Sequence, residues 1–430
     1  MNRLLIHTVR AGETLYSIAA RYGVDPNLLR TNNGIAQNSS LAVGQTLVVQ
    51  TIRTFHIVQS GESLSAIAAR YGLPLRALYR NNYWLEGQSA ISPGQMLVIA
   101  YDDTPIGDIV TNGYAYPTIH RRALSATLPY MSYLAPFTYG LNAELGLLPL
   151  EDAMLLEEAR RLGTAALMHL SSLTEDGNFS SERAAALLSD EAKQTALMEE
   201  IASTMAQKGY RGLDVDFEFI PAARREDYAR FIRRLRQRLS PLGYPVMVAL
   251  APKTYASQPG LLYEAHDYAL LSAAADYVLL MTYEWGYTYG PPMAVAPIEN
   301  VRRVLEYALT EMPGEKIFLG IPNYGYDWPL PFEQGRTRAQ SISNQEAVEI
   351  AVRNGAEIQF DETAQSPFFR YTAPDGVVHE VWFEDARSMS AKLRLISEYG
   401  LHGAGYWNLM RPYPQGWVLL NALYAVQTIE

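Results

Sequence analysis

Residues 211–219 read Arg-Gly-Leu-Asp-Val-Asp-Phe-Glu-Phe, and this alternation limits what the chain can fold into. Asp214, Asp216 and Glu218 alternate with Leu213, Val215, Phe217 and Phe219. On a β-strand alternate residues share a face, so the three acids point one way and the apolar side chains the other. Burying an unpaired carboxylate is costly, and three neighbours also repel one another. A chain that keeps all three on one apolar strand uses them. Stacked carboxylates cannot all ionise, so the cluster titrates as a unit and at least one pKa is raised. Glu218, last in the series, is the candidate to stay protonated and act as a general acid. Asp216 is two residues away on the same face, close enough to share a proton with it. Two plainer readings compete: a hard-metal site for Mg²⁺ or Ca²⁺, and a polar strand with one wet face. The wet strand is disfavoured because the other strands of this region are apolar on both faces.

With 430 residues the chain has room for two or three domains. A formal net charge of -10 argues against polyanion binding as its main task. Cysteine is absent, which excludes disulfides and thiolate metal sites. The seven histidines show no metal-binding spacing. No apolar run reaches transmembrane length. The start, Met-Asn-Arg-Leu-Leu-Ile-His, has an apolar core too short for a signal peptide. The expectations are therefore no nucleic acid, no membrane and no general secretory export, with a monomer also expected.

The first hundred residues are a tandem repeat. His7-Thr-Val-Arg-Ala-Gly-Glu-Thr-Leu aligns with His56-Ile-Val-Gln-Ser-Gly-Glu-Ser-Leu, and Asn32-Asn33 with Asn81-Asn82. Each copy reads strand, helix, helix, strand, with Thr14 or Ser63 as helix cap and Gly23 or Gly72 as helix stop. The expected modules are 6–50 and 54–100, followed by a polar linker at 101–108 that makes them separable from the rest. After it, apolar strands alternate with helices. Strands are expected at Thr111–Tyr116, Tyr133–Tyr139, Ala165–Ser171, Gly212–Phe219, Val246–Ala251, Tyr277–Tyr283, Ile317–Tyr324 and Gly403–Leu409. Helices are expected at Leu150–Leu162, Asp190–Lys208, Arg225–Leu239, Tyr263–Ala274 and Val301–Glu311. Eight strands with intervening helices over about 320 residues give an α/β fold, a (β/α)₈ TIM barrel over 109–430, with Glu218 near the C-terminal end of strand four. Residues 327–388 are too long for one connection. They read as a small α+β insertion between strands seven and eight, one wall of a cleft, whose Phe368, Phe369, Tyr371, Trp382 and Phe383 serve both as its core and as groove lining.

The N-terminal repeat resembles the LysM carbohydrate-binding module, which implies two small α+β units that bind glycans containing N-acetylglucosamine. The barrel region resembles glycoside hydrolase family 18. The family's strand-four pattern, Asp-x-x-Asp-x-Asp-x-Glu, is matched at Asp214, Asp216 and Glu218, with Arg211 in place of the outermost Asp. Met281-Thr-Tyr283-Glu284 resembles the family's strand-six end, Gly320-Ile-Pro-Asn-Tyr324-Gly its strand seven, and Gly405-Tyr-Trp407-Asn408 its strand eight. The family's strand-three Ser-x-Gly-Gly is replaced by His169-Leu-Ser-Ser. The runs at 281–286 and 379–388 resemble the spore cortex-lytic N-acetylglucosaminidase branch, found in the spore coat and cortex.

The resemblance implies a retaining, substrate-assisted mechanism with no metal and no cofactor. Glu218 protonates the glycosidic oxygen, Asp216 orients the substrate's 2-acetamido group, Tyr283 fixes the acetamido oxygen, and Asp214 tunes Asp216. Trp407, Tyr324, Glu284 and Met281 would line the sugar site, and Arg211 would alter the pH tuning. The implied substrate is cortex peptidoglycan. The alternatives are a chitinase or chitooligosaccharide hydrolase, and a non-catalytic glycan-binding spore-coat protein.

Overall fold

A computed structural model describes residues 4–429. The two N-terminal modules each form from one short antiparallel pair and two helices. In the first, strand Leu5–Thr8 pairs with Thr46–Val49 around helices Leu15–Tyr22 and Pro26–Asn32. In the second, Ile52–Ile57 pairs with Met96–Tyr101 around Leu64–Arg70 and Leu75–Asn81.

The repeated residues explain the repeated shape. Thr14 caps its helix by accepting from the Ser17 amide at 3.1 Å, and Ser63 accepts from Ala66 at 3.3 Å. Gly23 takes the left-handed conformation that ends the first helix. In the second copy the helix ends at Arg70, with Tyr71 as its cap and Gly72 following. Asn33 bonds the Leu29 carbonyl and both backbone groups of Val48, and Asn82 repeats this with Leu78 and Val98. Each Asn thereby ties the end of a helix to the closing strand.

Eight parallel strands close into a barrel: Gly107–Ala115, Tyr133–Pro136, Ala165–Ser171, Gly212–Asp216, Val246–Leu250, Tyr277–Leu280, Ile317–Pro322 and Gly403–Trp407. The eighth pairs with the first to complete the ring, and a short strand, Tyr424–Val426, lies outside against the first. Helices 153–162, 191–208, 225–239, 268–274 and 298–311 wrap the outside. Leu213, Val215 and Phe217 are fully buried against that helical layer. A second, inner core of Val110, Tyr114, Ala135, Leu167, Met247 and Leu279 fills the barrel.

Strand four ends at Asp216, short of the expected Phe219. Strand three ends at the same level, at Ser171, and Phe219 turns into a left-handed conformation with φ of 56°. Glu218 therefore stands on the loop just beyond the strand. Strand six likewise ends at Leu280, which puts Met281, Tyr283 and Glu284 on its exit loop.

The stretch after Tyr101 is not a loose tether. The Asp102 amide donates to Thr51 at 2.8 Å, Gln50 bonds Asp103, and the Ile106 amide donates to Leu423 at 2.7 Å. The modules are docked as well. Arg76 is buried, and its guanidinium donates to the carbonyls of Gly163, Leu128, Pro129 and Met131 on the barrel. Gln415 bonds Asn33 and Thr46 of the first module. Gly44 packs so tightly on the insertion that a Cβ there would lie 1.8 Å from the Ile358 carbonyl oxygen. The core of the second module runs on into the barrel's outer core. Polar composition in the linker did not reveal this, because docking is written in residues scattered across both partners.

Between strands seven and eight, five antiparallel strands from Gly325 to Trp382 and the helix Asn344–Asn354 form the insertion. Phe369 and Phe383 are its core, Phe368 stacks on Trp382, and Tyr371 donates to Asp327 at 2.7 Å. None of these five aromatics lines the cavity beside Glu218, against expectation. Phe369 and Phe383 face the insertion's own core, whereas Phe368 and Trp382 stack half-buried on the opposite face of the sheet, with Trp382 against the cluster of Tyr324, Tyr326 and Trp328.

Candidate active site

A cavity of about 300 Å³ opens at the C-terminal mouth of the barrel, lined by Asp216, Glu218, Met281, Tyr283, Glu284 and Trp407, with Tyr114, Tyr116, Phe137 and His169 on its floor and sides. Inward-facing positions of strand four place Asp214 and Asp216 inside the ring, and the exit loop carries Glu218 over its rim. Trp407, at the end of strand eight, meets Phe137 at 4.9 Å, Tyr114 at 5.7 Å and Tyr116 at 6.1 Å between ring centroids, which makes an aromatic platform. Gly320 makes room for Tyr283, since a Cβ there would sit 2.9 Å from the tyrosine ring and 2.3 Å from the Leu280 carbonyl oxygen.

The electrostatics separate the acids. Asp214 is fully buried, accepts from the Tyr114 hydroxyl at 2.7 Å, and is pushed up to about 7 by burial. Asp216 is raised well above its ordinary value, first by burial and then by the charges of Glu218 and Asp214. Glu218 keeps part of its surface open to the cleft. The dense protein around it raises its pKa to about 7, with Glu284 adding to the rise. Among the described residues no Lys or Arg forms an ion pair with any of the three. The coupled cluster therefore retains at least one proton near neutrality, and a carboxylic acid in an open cleft is able to donate it.

Tyr283 lines the cavity, its hydroxyl has no hydrogen-bond partner among the described residues, and it is held protonated chiefly by burial. Glu284 is exposed at the lip but sits in a concave setting. It accepts from the hydroxyls of Tyr324 and Tyr326, and the surrounding protein raises its pKa. Tyr324 thus spends its hydroxyl on Glu284, and with Tyr326, Ser341, Trp407 and Arg411 it lines an adjoining cavity of about 260 Å³. The structure brings together all eight residues expected at the site. Arg211, by contrast, is exposed at the entry end of strand four, and among the described residues it forms no ion pair with the acids and is not among the charges that shift them. The expected effect on pH tuning has no structural carrier. Sequence reasoning missed Tyr114, Tyr116 and Phe137, though Tyr114-Ala-Tyr116 at the end of strand one carries the inward alternation that marks such positions.

The sequence model of glycosyl hydrolases family 18 matches residues 167–411, and that of the LysM domain matches 7–50 and 56–100. This chain belongs to glycosyl hydrolase family 18. It is 44% identical over 429 residues to the cortical fragment-lytic enzyme of Bacillus subtilis, covering 98% of both chains. It is similar to the crystal structure of the Bacillus cereus spore cortex-lytic enzyme SleL, with 37% identity, 99% of each chain covered and a TM-score of 0.84. A chitinase from Chromobacterium violaceum is 25% identical and matches 73% of this chain and 98% of its own at a TM-score of 0.67. In this family 18 member the acids of strand four and the Tyr and Trp of strands six and eight occupy one cavity, and the LysM modules lie on the barrel's flank.

Proposed function

We propose that the protein is an N-acetylglucosaminidase of spore cortex peptidoglycan, working by substrate assistance. The observation that carries this is Glu218, a carboxyl held near pKa 7 at the open edge of a cavity that also holds Asp216 and Tyr283. Glu218 protonates the glycosidic oxygen. The substrate's own acetamido oxygen attacks the anomeric carbon and forms an oxazolinium. Asp216 accepts a hydrogen bond from the acetamido N–H and balances the developing charge, with Asp214 tuning it. The free Tyr283 hydroxyl donates to the acetamido oxygen. Glu218, now ionised, takes a proton from water in the second step. Trp407 stacks under the sugar, Met281 fills beside it, and Glu284 with Tyr324 bonds hydroxyls on the insertion side.

The cortex as substrate is supported by relatives of full length, modules included, that are named as cortex enzymes. The LysM modules and the family 18 barrel both suit glycans of N-acetylglucosamine, and the protein acts at the spore as a monomer, without nucleic acid or membrane. Mass spectrometry of digests tests the reading. Cortex fragments should yield products with reducing-end N-acetylglucosamine, and chitooligosaccharides should be poorer substrates. Preferential turnover of chitin would replace the cortex reading. Turnover of a plain glucoside would remove substrate assistance and point to Glu284 as a second carboxylate.

A further inference from the structure

His169 is a buried titratable group that this mechanism does not use, and it stands where the family pattern has a serine. It pairs in register with Asp214 on the neighbouring strand, so both side chains enter the barrel at one level. The ring is enclosed by Phe137 at 4.8 Å and Tyr114 at 5.4 Å between centroids. Its Nδ1 is 2.6 Å from Thr138 Oγ1. Its Nε2 has no hydrogen-bond partner and lies 3.9 Å from Asp214 Oδ2 and 3.8 Å from Asp216 Oδ2. Asp214 Oδ1 and Asp216 Oδ1 are also buried without partners.

We infer that His169 is a positioning residue for the hydrolysis: its Nε2–H points between Asp214 and Asp216, favours their ionised form and so leaves the transferable proton on Glu218. This rests on the role of Glu218 proposed above. The direction of the ring proton follows from two facts. Burial lowers the imidazole pKa to about 3, so the ring is neutral and carries a single N–H. A lone pair facing two carboxylates is repelled, whereas an N–H facing them is attracted. Thr138 then donates to Nδ1, its shortest contact, rather than to the carbonyls of Tyr139 at 3.1 Å or His169 at 3.3 Å.

The titratable groups that face this point are the Tyr114 hydroxyl, Asp214 and Asp216, with Glu218, Tyr283 and Glu284 beyond them. Among the described residues no cation forms an ion pair with these acids. The neutral donor is therefore the fixed dipole that offsets charge there. A serine hydroxyl rotates and accepts as readily as it donates, whereas the Nε2–H of this imidazole, its tautomer fixed by Thr138, only donates.

The test uses the full-length protein, a fluorogenic N-acetylglucosamine oligosaccharide, and the variants His169→Leu and His169→Gln. His169→Leu removes the donor. Ionisation of the Asp pair then becomes harder, and the acidic limb of kcat/KM against pH should move up by about one unit. Near pH 6 kcat should fall at least about tenfold while KM changes by less than about threefold. His169→Gln carries an amide N–H to the same place and should restore both. An unmoved limb in His169→Leu overturns the inference, as does a His169→Gln displaced as far as His169→Leu. A nitrogen-15 spectrum of the wild-type ring decides independently of how the variants fold: Nε2–H is expected, and Nδ1–H overturns it. Failure of the wild type to hydrolyse the probe would count against the proposed function, and the ring spectrum would still decide the role of His169.

Discussion

Replacing Asp214 by Asn should stabilise this protein, and by an amount that depends on pH. Asp214 has a folded pKa of about 7 against an ordinary 3.8. A carboxyl with a raised folded pKa binds more protons in the native than in the unfolded state between those two values. Stability therefore falls as pH rises through that window. The penalty is absent below about pH 4 and fully present above about pH 7. A shift of roughly three units corresponds to about 4 kcal/mol.

Asparagine removes the charge and keeps an acceptor for the Tyr114 hydroxyl. Its amide N–H₂ takes the place of Oδ1, which already lacks a partner, and that costs about 1–2 kcal/mol. The net gain at pH 8 is about 2 kcal/mol, turning into a deficit of about 1–2 kcal/mol near pH 4. Loss of the Asp214 charge also relieves Asp216, which acts in the same direction. Urea unfolding at pH 5, 6.5 and 8, followed by tryptophan fluorescence, measures it. An Asp214→Asn protein less stable than wild type at pH 8, or a difference that does not change with pH, would refute the reasoning.

Glu218→Gln should lower kcat by about 10²-fold or more with little change in sugar binding, checked by steady-state kinetics and by calorimetry with a chitooligosaccharide. The wild-type kcat/KM should decline as pH rises through about 7, where Glu218 loses its proton, and a flat profile to pH 9 would remove it as the acid. Arg76→Met should cost about 3 kcal/mol, because four barrel carbonyls lose a charged donor, offset in part by the relief of a guanidinium whose pKa burial depresses to about 10. Thermal unfolding and limited proteolysis between residues 101 and 107 would read this, and unchanged stability would mean that the modules do not lean on the barrel. Deletion of 1–101 should likewise give a barrel that still binds short glycans but unfolds at lower temperature, since the deletion bares the apolar surface shared with the second module.

Periodicity carried much of this protein in plain view. The period-two alternation of strand four is local, and it alone specifies that Asp214 and Asp216 enter the barrel while Leu213, Val215 and Phe217 face the helices. The repeat at His7 and His56 announced duplicated modules, because helix caps and the Asn33 and Asn82 clamps act within a few residues of sequence or across one small unit. Motifs at the ends of strands four, six, seven and eight named six residues that line the cavity beside Glu218, with Asp214 buried behind it and Tyr324 in the adjoining one, for the same reason: each is a short stretch with its own signature.

What only the tertiary structure decided depends on partners remote in sequence. Tyr114 meets Asp214 a hundred positions away, and His169 reaches the same acids from a third strand. Strand four stops at Asp216, level with the end of strand three at Ser171, while strand five runs on to Leu250 beside strand six, a difference that no local preference of Phe217 or Phe219 announces. The pKa of Glu218 is a property of the cavity. The docking of the modules through Arg76 and Gln415 rests on carbonyls and amides, groups that every residue carries and that leave no trace in composition. Local pattern fixes which side chains face inward, but closure of the ring determines which of them meet.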